Sequence, residues 1–278
     1  MSLMSGSTGS SRSLPRDIAE LKALAERQPE LAAAARLQIE LVESQRRVQG
    51  RLTTPWVEAE PADLAARLTA GRPLLEFSEI AFEWSDVRLL IRQTTDVLRR
   101  FDAIDAESAA ALHALGRDPK LPDVMRDWFA GHPPAEAIEM RDEVLTWAAR
   151  PYLQRMAEVL QQRVSFDAWR RPTCPVCSAQ PDFSVITTAG DRQLVCGRCH
   201  ARWSFDPIAC PLCGNDERAR ITSLATPDGI YRVMACLACG GYLKALDARH
   251  ANRPLLPYAD PILTLPLDAV VMQKYGKA

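Results

Sequence analysis

From residue 16 to residue 169 the chain reads as mostly helix, with apolar positions recurring at helical spacing. The stretch "RDIAELKALAERQPELAAAARLQIELVESQRRVQG" is rich in Ala, Leu, Glu, Arg and Gln, the strong helix formers. Pro29 is placed to start a second helix, with Leu31, Ala35 and Val42 on its inner stripe and Gly50 to stop it. "PADLAARLTAG", Pro61 to Gly71, predicts a short helix. Phe77, Ile80, Trp84, Val87, Ile91, Leu98 and Phe101 fall on one helical face and predict one long helix beginning near Phe77. A further pattern starts at Pro134 and passes through Met140, Val144, Ala148, Tyr152, Met156 and Val159. Pro151 is expected to kink or split it, because proline removes one helix hydrogen bond. "GRDPKLPD" and "GHPP" read as loops. The sum is a helical bundle long enough to bury its own core.

The pattern changes after "WRRPT", residues 169 to 173, where Pro172 favours an extended backbone. "FSVIT", "RQLVC", "ARITSL" and "YRVMAC" read as strands. From Tyr258 onward a short terminal helix is expected, with Asp260 as cap, Pro261 at its first position, a break near Pro266 and Gly276 as its end. This tail is expected to pack on a strand module or on the bundle.

All 8 cysteines lie in this second region, as four Cys-x-x-Cys pairs: Cys174/Cys177, Cys196/Cys199, Cys210/Cys213 and Cys236/Cys239. The intervals between pairs are 18, 10 and 22 residues. A Cys-x-x-Cys turn aims two thiolates at one point, and two turns close a tetrahedron around a metal ion. The two longer intervals each have room for a hairpin and match the usual spacing of zinc-type sites. Sequential pairing also keeps each closed loop short. Cys174, Cys177, Cys196 and Cys199 are thus assigned to site one, and Cys210, Cys213, Cys236 and Cys239 to site two. "HARWSFDPIA" serves as the link; an interleaved pairing and disulfides within the pairs are the alternatives. The two halves repeat each other, with Trp203 and Tyr242 as counterparts after the last ligand. Each unit is small enough to depend on its metal for stability. His200, next to Cys199, counts at most as a neighbour of the ligands.

The chain carries 34 Lys+Arg against 35 Asp+Glu, so no general attraction to polyanions or anionic membranes is expected. No apolar run is long enough to cross a membrane, and no secretory leader is apparent. A cytoplasmic, reducing location follows, where paired cysteines are metal ligands or redox groups more often than disulfides. The first residues, through the second methionine Met4, stay outside the fold argument. The helical half has no phosphate loop, no His-Glu-x-x-His and no Gly-x-Ser-x-Gly. Its two histidines, His113 and His132, stand apart. It reads as scaffold or partner surface, not as a catalytic centre.

Tetrathiolate chemistry suits zinc and iron alike: zinc would be structural, and iron would pass one electron. Between Arg170 and Gly240 stand 8 Arg and no Lys against 6 acidic residues. Four thiolates on a divalent ion carry about -2 per site. The region then lacks the cationic surplus that nucleic-acid binding needs.

"AWRRPTCPVCSAQP", "CGRCHARWSFDPIACPLCGN", "CLACGGYLK" and "YADPILTLPLD" occur in that order between Ala168 and Asp268. In these the chain resembles the formate dehydrogenase accessory protein family, FdhE. The resemblance implies a non-enzymatic cytoplasmic assembly factor with two metal ions, iron expected or else zinc. Its implied partner is the catalytic subunit of respiratory formate dehydrogenase, matured before export by the twin-arginine route. The implied architecture is multidomain, α and β: an all-α bundle over 16–169, then rubredoxin-like, zinc-ribbon-type tetrathiolate modules over 170–207 and 208–250, and a tail over 251–278. All eight family cysteines are present. Rubredoxin-like turns favour glycine after the second cysteine; site two has Gly214 and Gly240, and site one has Ser178 and His200. Site two is therefore expected to be the more rubredoxin-like. A rubredoxin-like electron carrier and a nucleic-acid-binding zinc ribbon remain the competing readings.

Overall fold

The computed structural model describes residues 14–134 and 137–275. Among them, seven α-helices precede the first strand: α1 Leu14–Arg27, α2 Ala32–Gln49, α3 Pro61–Thr69, α4 Trp84–Arg100, α5 Ala106–Arg117, α6 Leu121–Ala130 and α7 Arg141–Arg163. Leu31, Ala35 and Val42 are buried, as their spacing predicts. α2 ends at Gly50, whose φ of −66° is ordinary helical backbone, so the stop does not use glycine's left-handed freedom. α5 and α6 fall within the stretch read as mostly helix, and of the segment "GRDPKLPD" read as a loop only residues 118–120 lie between them.

The helix expected from Phe77 starts seven residues later, at Trp84. Phe77–Glu79 form a single 3-10 turn, and Ile80 is extended. Aromatic packing explains the misleading periodicity: Phe82 lies between Phe77, Trp84 and Tyr152, with ring centroids 5.1 to 5.6 Å away. Glu83 then caps α4 by accepting from Ser85 N–H.

α7 begins at Arg141, not Pro134; Ala135 and Glu136 lie outside the described residues. Nor is it split at Pro151; it runs unbroken to Arg163. Proline leaves the carbonyl four residues back, that of Trp147, without its helical donor. The Gln45 side-chain amide on α2 supplies a donor to that carbonyl, at 2.6 Å. A defect local to α7 is thus repaired by the neighbouring helix.

Six strands follow: β1 Pro181–Ile186, β2 Arg192–Cys196, β3 Arg202–Phe205, β4 Ile221–Ala225, β5 Tyr231–Cys236 and β6 Tyr242–Asp247. The supposed link "HARWSFDPIA" contains β3. All six join in one sheet, ordered β3-β2-β1-β6-β5-β4. Each unit is an antiparallel meander, and the seam between them is a parallel pairing of β1 with β6, Phe183 opposite Lys244 and Ile186 opposite Asp247. The units therefore do not stand alone on their metals, as their small size had suggested. The register also corrects the repeat. Trp203 faces Leu194 and Leu243 faces Met234, so Leu243 is the counterpart of Trp203, while Tyr242 answers to Arg202.

The tail forms α8 Asp260–Leu263 and α9 Leu265–Tyr275, broken at Thr264 just before Pro266. Asp260 does not cap α8. Its buried carboxylate accepts from Leu256 N–H and Tyr231 Oη and pairs with Arg253. Gly276 lies outside the described residues. α9 packs on the second unit, with Val271 against Val233 and Ala235. The segment before α8 is anchored on α1, where Asp17 accepts from the Tyr258 and Ala259 N–H groups at 2.8 and 2.9 Å.

Candidate metal centres

Each Cys-x-x-Cys pair is built as the same backbone knuckle. The N–H of the first cysteine donates to the carbonyl five residues on, in Cys174–Ala179, Cys196–Ala201, Cys210–Asn215 and Cys236–Gly241, at 2.8 to 3.0 Å. The carbonyl of that first cysteine accepts from the residue four on: Ser178, His200, Gly214 or Gly240. Those four residues share left-handed backbone, with φ of 58°, 57°, 76° and 78°. The glycine difference noted in the sequence therefore does not change the shape of site one. Ser178 and His200 take up the glycine conformation, at the usual steric cost of an L residue there.

The four knuckles bring the eight cysteines into two groups, Cys174, Cys177, Cys196 and Cys199, and Cys210, Cys213, Cys236 and Cys239. Within each group the sulfurs lie within 4.8 Å of one another. In site one, Sγ–Sγ distances are 3.5 Å for Cys174–Cys199, 3.5 Å for Cys177–Cys196 and 3.7 Å for Cys177–Cys199. In site two, Cys210–Cys239 is 3.9 Å and Cys213–Cys236 is 3.7 Å. A disulfide requires about 2.05 Å, so these are free thiols. A tetrahedron with metal–sulfur bonds of about 2.3 Å has edges of roughly 3.8 Å. Both clusters thus fit a four-coordinate ion, with the sequential pairing and not the interleaved one.

Electrostatics points the same way. Burial pushes the Cys174 and Cys199 thiols well up, while hydrogen bonds from Cys174, Cys196 and Cys199 pull Cys177 well down. In site two, burial pushes Cys210 up to about 12. Burial also acts to raise Cys236, but the N–H groups of Cys239 and Ala238 and the thiols of Cys213 and Cys210 outweigh it and bring it to about 7. Each cluster contains a thiol disposed to ionise beside others that resist it. A cation at the centre removes that conflict.

The surroundings differ sharply. All four site-one sulfurs belong to buried residues, 0 to 2% exposed, in the same hydrophobic cluster as Leu75, Val87, Ile91, Leu153 and Trp203. Leu74 and Leu75 N–H donate to the Pro175 and Val176 carbonyls, tying the first knuckle to the segment before α4. Arg150 on α7 donates to the Gly197 and Arg198 carbonyls of the second. Arg198 answers by donating to the Trp128 and Phe129 carbonyls, with its guanidinium 4.0 Å from the centre of the Trp128 ring. In site two Cys213 is exposed and Cys239 half-buried, and Leu212 and Leu237 within its knuckles are 42% and 50% exposed.

His200 does not ligate. Its Nδ1 accepts from Gln154 at 2.8 Å, and its ring packs edge-on against Tyr258, centroids 5.0 Å apart. Burial, with Arg150 nearby, holds its pKa well below the usual value, so the ring is neutral. The side chain joins site one to α7 and the tail. The roles of Arg150, Arg198, Gln154 and Tyr258 carried no sequence signal beyond their place in or near the quoted motifs.

No protein-family model matches the chain. It is 27% identical over 202 residues to an FdhE homologue of Actinobacillus pleuropneumoniae serotype 3 (strain JL03), covering 69% of this chain and 62% of that one. It is 29% identical over 133 residues to FdhE of Escherichia coli O9:H4 (strain HS), covering 46% and 43%. The matched region therefore spans less than two thirds of these relatives' length. The fold is similar to the crystal structure of the FdhE protein from Pseudomonas aeruginosa, with a TM-score of 0.64, 22% identity, and coverage of 97% of this chain and 93% of that one. Sequence likeness over part of the chain and fold likeness along nearly its whole length agree: in both the chain is similar to FdhE proteins.

Proposed function

We propose that the protein is a non-enzymatic accessory factor that holds the catalytic subunit of respiratory formate dehydrogenase during maturation, in the cytoplasm, and carries two tetrathiolate ions. Its eight cysteines are the ligands. The working division is a bundle over 16–169, metal modules over 170–207 and 208–250, and a tail over 251–278. The observation that carries the reading is the pair of four-cysteine clusters anchored to a helical bundle in an FdhE-like fold. Zinc in such a cage would hold the fold, and iron would add a one-electron couple. The test is a pull-down of the catalytic subunit without oxygen. Retention by the wild-type chain is expected, and absence of association refutes the role.

A second reading, a one-electron carrier, is favoured by the exposure of Cys213. It requires iron. Protein prepared without oxygen that holds only zinc and shows no thiolate-to-iron absorption removes it.

A further inference from the structure

We infer that site two is an exchange site for its ion, entered at Cys213, and that site one is closed to exchange in the folded protein. The inference rests on the reading that both clusters bind an ion, and it assigns them different work.

The first ground is access. A chelator or competing thiolate must reach a metal–sulfur bond before it can replace one. In site one every cysteine is at most 2% exposed. In site two Cys213 is exposed and Cys239 is half-buried.

The second ground is how the knuckles are held. Both site-one knuckles are fastened from outside their own module, by Leu74 and Leu75 on one and by Arg150 and the Arg198–Trp128 contact on the other. Opening site one therefore breaks the main hydrophobic cluster. The site-two ties recorded among the described residues come from the sheet region itself. Arg192 donates to the Ala209 carbonyl, Asp206 accepts from Ile208 and Ala209 N–H, and Leu237 N–H donates to the Arg220 carbonyl. Opening there is local, and local openings need far less free energy than global ones.

The third ground is sulfur solvation. Cys174 accepts from Val176 N–H and Cys196 from Arg198 and Cys199 N–H; in site two Cys210 accepts from Leu212 and Cys213 N–H, Cys236 from Ala238 and Cys239 N–H, and Cys239 from Gly241 N–H, so the sulfur of that site that faces solvent is that of Cys213. Hydrogen bonds to a bound thiolate stabilise it and orient it. Cys213, solvent-facing, is the ligand placed to leave first. In the exchange step an entering ligand forms one bond to the ion as the Cys213 sulfur–metal bond breaks. Cys213 keeps the electron pair and takes a proton from solvent, and no oxidation occurs. The class of partner is a small chelator or thiolate ligand able to reach that edge.

The test uses the full chain loaded with zinc, its metal content measured first. An excess of a chromogenic chelator is added while iodoacetamide labelling is followed by mass spectrometry. The expected result is two release phases, one ion leaving at least about tenfold faster than the other. Labelling appears at Cys213 during the fast phase, while Cys174, Cys177, Cys196 and Cys199 stay unlabelled until the slow one. Cys213→Ser should bind one ion tightly and lose the slow–fast contrast. Two ions released together, or first labelling at a site-one cysteine, overturns the inference and leaves the metal reading standing. Fewer than two ions per wild-type chain overturns both. Neither result depends on the pull-down, which tests the client separately.

Discussion

At site one, four thiols share a core with residues of the helical half; at site two, the same knuckles end in Leu212 and Leu237 facing solvent. The backbone of the two is alike down to the left-handed residue after each pair. A metal cage of fixed geometry can thus be a keystone or an outwork, depending only on what packs around it. The glycines of site two leave its turns bare. In site one one of those positions carries His200, whose ring engages Gln154 and Tyr258.

The largest expected contrast comes from deleting one ligand at each site. Cys177→Ser should abolish folded protein, since it removes a metal contribution on the order of 10 kcal/mol from the main core. Cys213→Ser should retain a cooperative thermal transition and lose one ion. Circular dichroism melts with metal analysis check both, and equal loss of fold in the two variants breaks the comparison.

The seam between the units is the next place to press. Asp247 ends β6 beside β1 and is paired with Arg232 and Arg249. The Arg249 hydrogen bond, aided by Arg232, holds its carboxyl well below the usual carboxylate range. A depressed folded-state pKa contributes stability above the unfolded value of about 3.9, which is lost as pH falls through the folded value. Asp247→Asn should destabilise near neutral pH by taking the carboxylate from Arg232 and Arg249, and should flatten the acid side of the stability–pH curve. Chemical denaturation across pH measures this.

Arg198→Ala should cost about 2 kcal/mol, from the Trp128 stacking and two hydrogen bonds to carbonyls that hold a site-one knuckle in place. It should also speed release of the slow ion. The smallest effect separates the two left-handed positions of site one. Ser178→Gly should stabilise by roughly 0.5 to 1 kcal/mol, because the residue is exposed and glycine relieves the backbone. His200→Gly should destabilise, since the ring contacts outweigh that relief. Urea midpoints decide the signs.

The two four-cysteine groups and their sequential pairing were legible because spacing alone limits which turns can meet. Four of six strands were legible from their apolar character. What escaped was set by partners distant in sequence. Nothing within α7 reveals that Gln45 will satisfy the Trp147 carbonyl, so Pro151 looked like a break. Nothing local to Phe77 and Ile80 distinguishes a helix face from an aromatic cluster around Phe82. The parallel β1–β6 seam is invisible for the same reason, and its absence made two independent ribbons the natural reading. The site's asymmetry was only half visible: glycine usage hinted at a difference, but burial carries it.

That seam also has a consequence for biosynthesis. β1 is complete at Ile186, and the strand that covers its open edge ends at Asp247, 61 residues later. At synthesis rates of about 5 to 20 residues per second, β1 waits roughly 3 to 12 s for its neighbour. During that interval it presents unpaired backbone groups of the kind that recruit other chains. The first metal module is thus finished in covalent terms well before its sheet is, and the nascent protein is most open to mispairing just as its first four ligands have all emerged.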